Sequence, residues 1–295
     1  MSDPAAIPAA WLRQRAEAAA SGLPPLLAEA EHLAATVILG EHGRRRAGLG
    51  DQFWQYRHAH AGDAYREIDW RRSGRADATF VREKEWQAAQ SVLFWIDTAR
   101  SMSFTSDADR PSKGARARLL GLAAAVLLNR GGERIGLMQD PEPPRHGEAQ
   151  LIRVAAELAK EDSADYGIPA ERAMPTGARA VLISDFLGDW AQVEGVLAHA
   201  ADRGVKGVIL QVLDPQEEAF PFDGRTIFQS MAGVLEFETL KAGELRNRYL
   251  ERLAERKARL SMLADRTGWQ YQCHHTGESA QAALLWLYGA LEGVR

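Results

Sequence analysis

Two aspartates stand where an α/β protein does its chemistry. Asp97 follows the apolar run Ser91-Val-Leu-Phe-Trp-Ile96, and Asp185 follows Arg179-Ala-Val-Leu-Ile-Ser184. Both runs have the β-branched and aromatic character of strands buried on two faces. Each leads through a loop toward a helical segment. A carboxylate at such a strand end can ligate a hard cation, take part in catalysis, or cap the following helix by accepting from its orphan N–H groups. Two in equivalent positions favour function over capping. With Mg²⁺ between them, Asp97 and Asp185 would activate a water for hydrolysis, which is the enzymatic alternative. The sequence offers that alternative no Gly-x-x-x-x-Gly-Lys-Ser/Thr phosphate loop, no Gly-x-Ser-x-Gly elbow, and no histidine beside either aspartate.

The elements that must position these residues alternate along the chain. After the first strand, helical spacing runs from Ala115 to Leu128 and stops at Gly131-Gly132. Strands are expected at Arg134 to Met138, Arg179 to Ser184, Val205 to Leu213 and Trp269 to Cys273, with helices at Gln150 to Lys160, Trp190 to Asp202, Gly243 to Arg266 and Ser279 to Leu291. A hairpin is expected around Arg225 to Phe237. Strands separated by helices give right-handed parallel crossovers, so the expected fold is α/β with a doubly wound, mainly parallel sheet flanked by helices. In such a sheet the ligand site lies beyond the carboxyl ends of the strands, where the strand order reverses. Three regions follow: an N-terminal helical appendage (1–39), an irregular, charge-dense and loop-rich arm packed on the core (40–90), and the α/β domain (91–295).

The loop Asp97-Thr98-Ala99-Arg100-Ser101-Met102-Ser103 resembles that of von Willebrand factor A domains, which reads Asp-x-Ser-x-Ser. That resemblance implies a metal-ion-dependent adhesion-type site in which Asp97, Ser101 and Asp185 are ligands for Mg²⁺, with Thr176 or Ser163 as candidates for a further hydroxyl. Ala99 stands where the family has serine and offers no oxygen, so the implied site is degenerate, with an underfilled shell. Before it, Gly62-Asp63-Ala-Tyr-Arg66-Glu-Ile68-Asp69-Trp70-Arg-Arg-Ser73-Gly74-Arg75 resembles the signature of the domain of unknown function 58 family. Only Gly74, in place of alanine, departs from it. This resemblance implies a von Willebrand A-like module that serves as an adaptor or target of MoxR-type AAA+ ATPases, and it carries over no catalytic residue. Read physically, Asp63, Arg66, Asp69 and Arg75 alternate in sign and can pair to fix an irregular loop or receive an acidic partner. Ile68 and Trp70 read as core residues.

The composition sharpens what remains. The 295 residues hold 36 Lys and Arg against 40 Asp and Glu, a net charge of −4, which does not suit a phosphate backbone. Arg44-Arg45-Arg46 with Trp54 and Tyr56 resembles a stacking platform, yet Glu41, Asp51, Asp63, Glu67 and Asp69 cancel it, so no nucleic-acid partner is expected. A single cysteine, Cys273, excludes an internal disulfide and a four-cysteine zinc site. Cys273-His274-His275 with His42, His58 and His60 match no closed zinc spacing; the cysteine reads as a buried apolar residue and the histidines as exposed loop residues. The longest apolar run, Leu119 to Leu128, is about ten residues where roughly 20 are needed to span a bilayer. No membrane span and a cytoplasmic address are therefore expected.

Overall fold

The computed structural model describes residues 25–37, 47–60, 65, 68–75, 78–85, 89–160, 162–170, 174–229 and 236–293. The chain divides into two compact units, residues 1–37 with 90–295, and residues 38–89.

The larger unit contains helix α1 (Pro25–Thr36), strand β1 (Ser91–Ile96), helix α2 (Lys113–Arg130), β2 (Arg134–Leu137), α3 (Glu148–Leu158), β3 (Arg179–Ser184), α4 (Trp190–Asp202) and β4 (Lys206–Leu213). It continues with α5 (Pro215–Ala219), the hairpin strands β5 (Thr226–Gln229) and β6 (Glu236–Thr239), α6 (Ala242–Thr267), β7 (Gln270–His275) and α7 (Ala280–Gly293). Five strands form one sheet in the order β2-β1-β3-β4-β7, and every pairing in it is parallel. This is the doubly wound α/β architecture. The order reverses between β1 and β3, whose carboxyl ends carry Asp97 and Asp185.

Alternation along each strand sends successive side chains to opposite faces. Val92, Phe94 and Ile96 of β1, with Val181 and Ile183 of β3 and Val208 and Leu210 of β4, pack under α1, α2, α3 and α7. Leu93, Trp95, Ala180, Leu182 and Ile209 face the other way, against Val193, Val196 and Leu197 of α4 and Leu260 and Leu263 of α6. Full burial of each large side chain is worth roughly 1.5–3 kcal/mol, so both faces hold the sheet. Helix α1 contributes Leu27, Ala30 and Ala34, each at most 1% exposed, to the first of these cores. Helix α2 starts where the Ser112 hydroxyl accepts from the Ala115 N–H at 3.2 Å, an N-cap. No helix among the described residues is long and apolar enough to cross a membrane.

The smaller unit corrects the expectation of a loop-rich arm. Ala47–His58 and Phe80–Glu85 form an antiparallel pair, with register irregularities between Gly48 and Phe53 and between Phe53 and Gln55. Glycines and charges in Ala47–His58 hide this strand from its hydrophobic pattern. Asp69 caps the single turn Trp70–Ser73 by accepting from the Arg72 N–H at 3.0 Å, and its other oxygen accepts from the Tyr56 hydroxyl at 3.1 Å. Trp70 is not a core residue: it is 57% exposed and stacks on Tyr65 at 5.6 Å. Ile68 bridges to Val81, and Arg75 is exposed. Asp63 and Arg66 lie outside the described residues.

Close strand packing makes one glycine obligatory. A Cβ on Gly207 in β4 would lie 2.1 Å from the Ala180 carbonyl oxygen and 2.9 Å from the Trp269 ring. Gly207→Ala is therefore expected to cost about 1–3 kcal/mol by overpacking, read as a lower urea midpoint at unchanged slope. An unchanged midpoint would refute this packing.

Candidate functional site at the strand ends

Asp97 is 2% exposed. Its Oδ1 accepts from the Ala99 N–H at 2.9 Å and its Oδ2 from the Ser184 hydroxyl at 2.6 Å. Ser184 in turn accepts from the Phe186 N–H at 3.0 Å, so one hydroxyl couples the ends of β1 and β3. Asp185, 1% exposed, accepts from the Leu187 N–H at 3.0 Å on Oδ1. Phe186 takes φ +52°, uncommon for a bulky residue. Its burial against Trp95, with ring centroids 6.0 Å apart, holds that turn.

The third participant was not expected from the sequence. Lys113, the first residue of α2, is 1% exposed, and its ammonium donates to Asp185 Oδ2 at 2.8 Å and to Glu217 Oε1 at 2.7 Å. Glu217 sits in the first turn of α5, where its Oε2 also accepts from the Asp214 N–H at 2.8 Å in a capping box. Asp214 takes two further bonds from Ser106, one from the hydroxyl at 2.6 Å and one from the N–H at 3.0 Å. The loop after Asp97 is thereby latched to the end of β4. Burial pulls the Lys113 ammonium toward neutrality, but Asp185 and Glu217 outweigh it and hold its pKa above the ordinary lysine value. Burial likewise raises Glu217, against the opposing pull of Lys113. Burial is also what pushes Asp97 up to about 6, with Asp185 adding to it and the bonds from Ser184 and Ala99 opposing.

Of the sequence-predicted ligands, Asp97, Ser101 and Asp185 all lie at this end of the sheet. Ser101 is 6% exposed, and its hydroxyl is buried without a hydrogen-bond partner. Ser163 and Thr176 are both exposed and do not serve as the further hydroxyl. The loop that was to supply it meets the Asp97 loop through backbone: the Arg100 and Ser101 N–H groups donate to the carbonyls of Ala164 and Asp165, both at 2.9 Å. Gly167 lies against the carboxylate, where a Cβ would come within 2.1 Å of Asp97 Oδ1.

This donor set does not suit Mg²⁺. The ion requires about six oxygens in near-octahedral array. Ala99 presents a buried methyl group, both Asp97 oxygens are engaged, and Asp185 Oδ2 and Glu217 Oε1 already converge on an ammonium. Lys113 stands as a tethered cation against the later aspartate, so Asp97 and Asp185 are not free to activate a water through a shared metal.

Two outcomes follow. Millimolar Mg²⁺ leaves the wild-type melting temperature unchanged, whereas Lys113→Ala lowers stability by about 3–5 kcal/mol and makes melting rise with Mg²⁺, as the freed carboxylates accept it. The opposite pattern would show that the metal, not the lysine, is the native cation. The second outcome concerns pH. The folded Asp97 value of about 6 lies above the ordinary 3.8, so the stability contributed by its neutral form is complete below pH 3.8 and is lost as pH rises through 6. The difference corresponds to about 3 kcal/mol. Asp97→Asn should remove that decline, so that urea midpoints of variant and wild type diverge in the variant's favour from pH 4 to pH 7; parallel profiles would contradict it.

The crystal structure of the conserved hypothetical protein BatB from Bacteroides thetaiotaomicron is similar over 68% of this chain and 98% of its own, at 14% identity and a TM-score of 0.37. No curated protein matches. The family described as "Protein of unknown function DUF58" matches residues 55–259, from the first strand of the smaller unit through most of α6, more than half of the sequence. The chain belongs to the DUF58 family.

Proposed function

We propose that this protein is a non-catalytic, cytoplasmic protein-interaction module of von Willebrand A-like type, whose degenerate adhesion-type site is closed by Lys113, and that its partner is a MoxR-type AAA+ ATPase. The observation that carries the reading is a cavity of about 590 Å³ beside the strand-end cluster, lined by Phe104, Phe220, Phe222, Phe228, Phe237 and Tyr249 and edged by Arg248 and Arg252. Glu217 lines the same cavity, so it faces the Lys113 ammonium with one oxygen and belongs to the wall of the pocket.

The wall is built by an unusual packing of rings. Phe220 ends α5 with φ +42° and meets Phe222 at 5.2 Å, Phe228 at 5.8 Å and Tyr249 at 4.9 Å. Leu245, Arg248, Tyr249 and Arg252 share one face of α6 by their three- and four-residue spacing. Phe237 is 55% exposed, as is its hairpin neighbour Ile227. Exposed aromatic surface beside arginine suits the anchor pattern of protein interfaces. Arg248 and Arg252 are exposed, and among the described residues neither makes an ion pair. An apolar side chain flanked by carboxylates is the complementary partner segment.

The strand-end cluster supports binding over turnover because its charges answer one another. The ammonium of Lys113, the carboxylates of Asp97, Asp185 and Glu217 and the hydroxyl of Ser184 are all engaged. Such a network is a rigid floor for a surface site.

Immobilised wild-type protein should retain a MoxR-type ATPase from extracts of the native host. Phe237→Ala and Arg252→Glu should each weaken the purified complex at least about tenfold, equal to roughly 1.4 kcal/mol, without lowering the melting temperature. Retention of no ATPase by the wild type overturns the partner assignment; equal retention by both variants overturns the assignment of this surface.

A further inference from the structure

We propose that Glu218, Cys273 and His275 form a binding site for a divalent transition-metal ion of the zinc type. The site is separate from the Lys113 cluster, although Glu217 and Glu218 are neighbours on α5. Cys273 and His275 are two residues apart in β7 and share one face of the sheet, and Glu218 approaches from α5. One ligand atom from each of the three lies within 4.8 Å of the other two, the span that a tetrahedral centre with ligand bonds of about 2.0–2.3 Å draws together.

The surrounding bonds already orient these atoms. The His275 Nδ1 lies 3.4 Å from Glu278 Oε1, and the His275 backbone N–H donates to Glu278 Oε2 at 3.2 Å. Glu278 thus holds the Nδ1 side of the ring and leaves Nε2 toward the cluster, the arrangement that metal-bound histidines use. His275 Nε2 is shielded from solvent and lies 2.5 Å from Glu218 Oε2 in an ion-pair contact. Glu218 divides its oxygens: Oε2 faces the imidazole, while Oε1 pairs with the Lys257 ammonium, the outer support that a ligating carboxylate needs. Cys273 is a free thiol.

The donor types select the ion. One thiolate, one imidazole and one carboxylate suit zinc and cobalt, not Mg²⁺ or Ca²⁺, which require oxygen. Thiolate and carboxylate together carry two negative charges, balancing a divalent ion. Three protein donors leave a fourth position for water, as in open zinc sites. The cluster lies beyond any closed cysteine and histidine spacing because its third member comes from α5, distant in sequence.

The test is cobalt binding to the full chain after chelator treatment. Because Cys273 is the only cysteine, a sulfur-to-cobalt charge-transfer band reports this site alone. One equivalent of Co²⁺ should produce that band with the intense visible absorption of tetrahedral cobalt, and Zn²⁺ but not Mg²⁺ should abolish both. Cys273→Ser should lose the charge-transfer band, His275→Ala should weaken binding at least about tenfold, and Glu278→Gln, which leaves all three ligands in place, should weaken it about 10- to 100-fold. Absence of the band in the wild type, or uptake of several equivalents that none of these substitutions alters, overturns the site. Circular dichroism of the metal-free variants distinguishes lost ligation from lost folding, and Glu278→Gln, on the exposed side of the cluster, carries the test if a ligand variant does not fold.

Discussion

A buried ammonium is the constraint around which this end of the molecule is arranged. Removing a lysine from water costs several kcal/mol even after the protein relaxes. Lys113 also stands at the amino end of α2, where the helix dipole opposes a positive charge. Both costs require carboxylates at contact distance, and the fold supplies them from two elements: Asp185 from the end of β3 at 2.8 Å and Glu217 from α5 at 2.7 Å. Asp185 can reach the ammonium because the chain turns sharply at Phe186, and Glu217 because Asp214 caps its helix. The β1 loop is tied to the same point through Ser184 and Ser106. Three loops, those after β1, β3 and β4, therefore converge on one charge.

That charge also decides what the site can do. Asp97 lies near Asp185 in a dry environment, and with Lys113 committed to Asp185 and Glu217, burial drives Asp97 toward its neutral form. Where the resemblance implied a metal between Asp97 and Asp185, a lysine ammonium lies against Asp185 and Ala99 presents a buried methyl group. The resulting floor is charge-satisfied, and the adjacent wall of phenylalanines, Tyr249, Arg248 and Arg252 is the surface to which the proposed function assigns the partner. Glu217 joins the two.

The sheet was legible because its strands are buried on both faces and read as unbroken apolar runs. Asp97 and Asp185 followed from the rule that ligands sit at strand carboxyl ends where the order reverses. Lys113 was not legible: a lysine in the first turn of a helix reads as solvated, and only the approach of Glu217, about a hundred residues later in the chain, makes it a buried ion. Its adverse position against the helix dipole was the one signal available. Ser184 was hidden as the polar last residue of an apolar run. The histidines after Cys273 looked like loop residues because the strand ending there is short and polar, yet β7 extends through His275 and His274 is 1% exposed. In the smaller unit, charges and glycines masked a strand, and the apolar character of Trp70 pointed to a core residue although the side chain is exposed.

The central claim is that Lys113 and Asp185 act as one unit. A double-mutant cycle of wild type, Lys113→Met, Asp185→Asn and the pair, read by urea unfolding at neutral pH, measures this directly. The account predicts a coupling energy of about 1.5 kcal/mol or more, with the double variant more stable than the sum of the single losses allows, because removing both charges leaves neither buried alone. Losses that add to within about 0.5 kcal/mol would mean that the two residues are not paired in the folded protein.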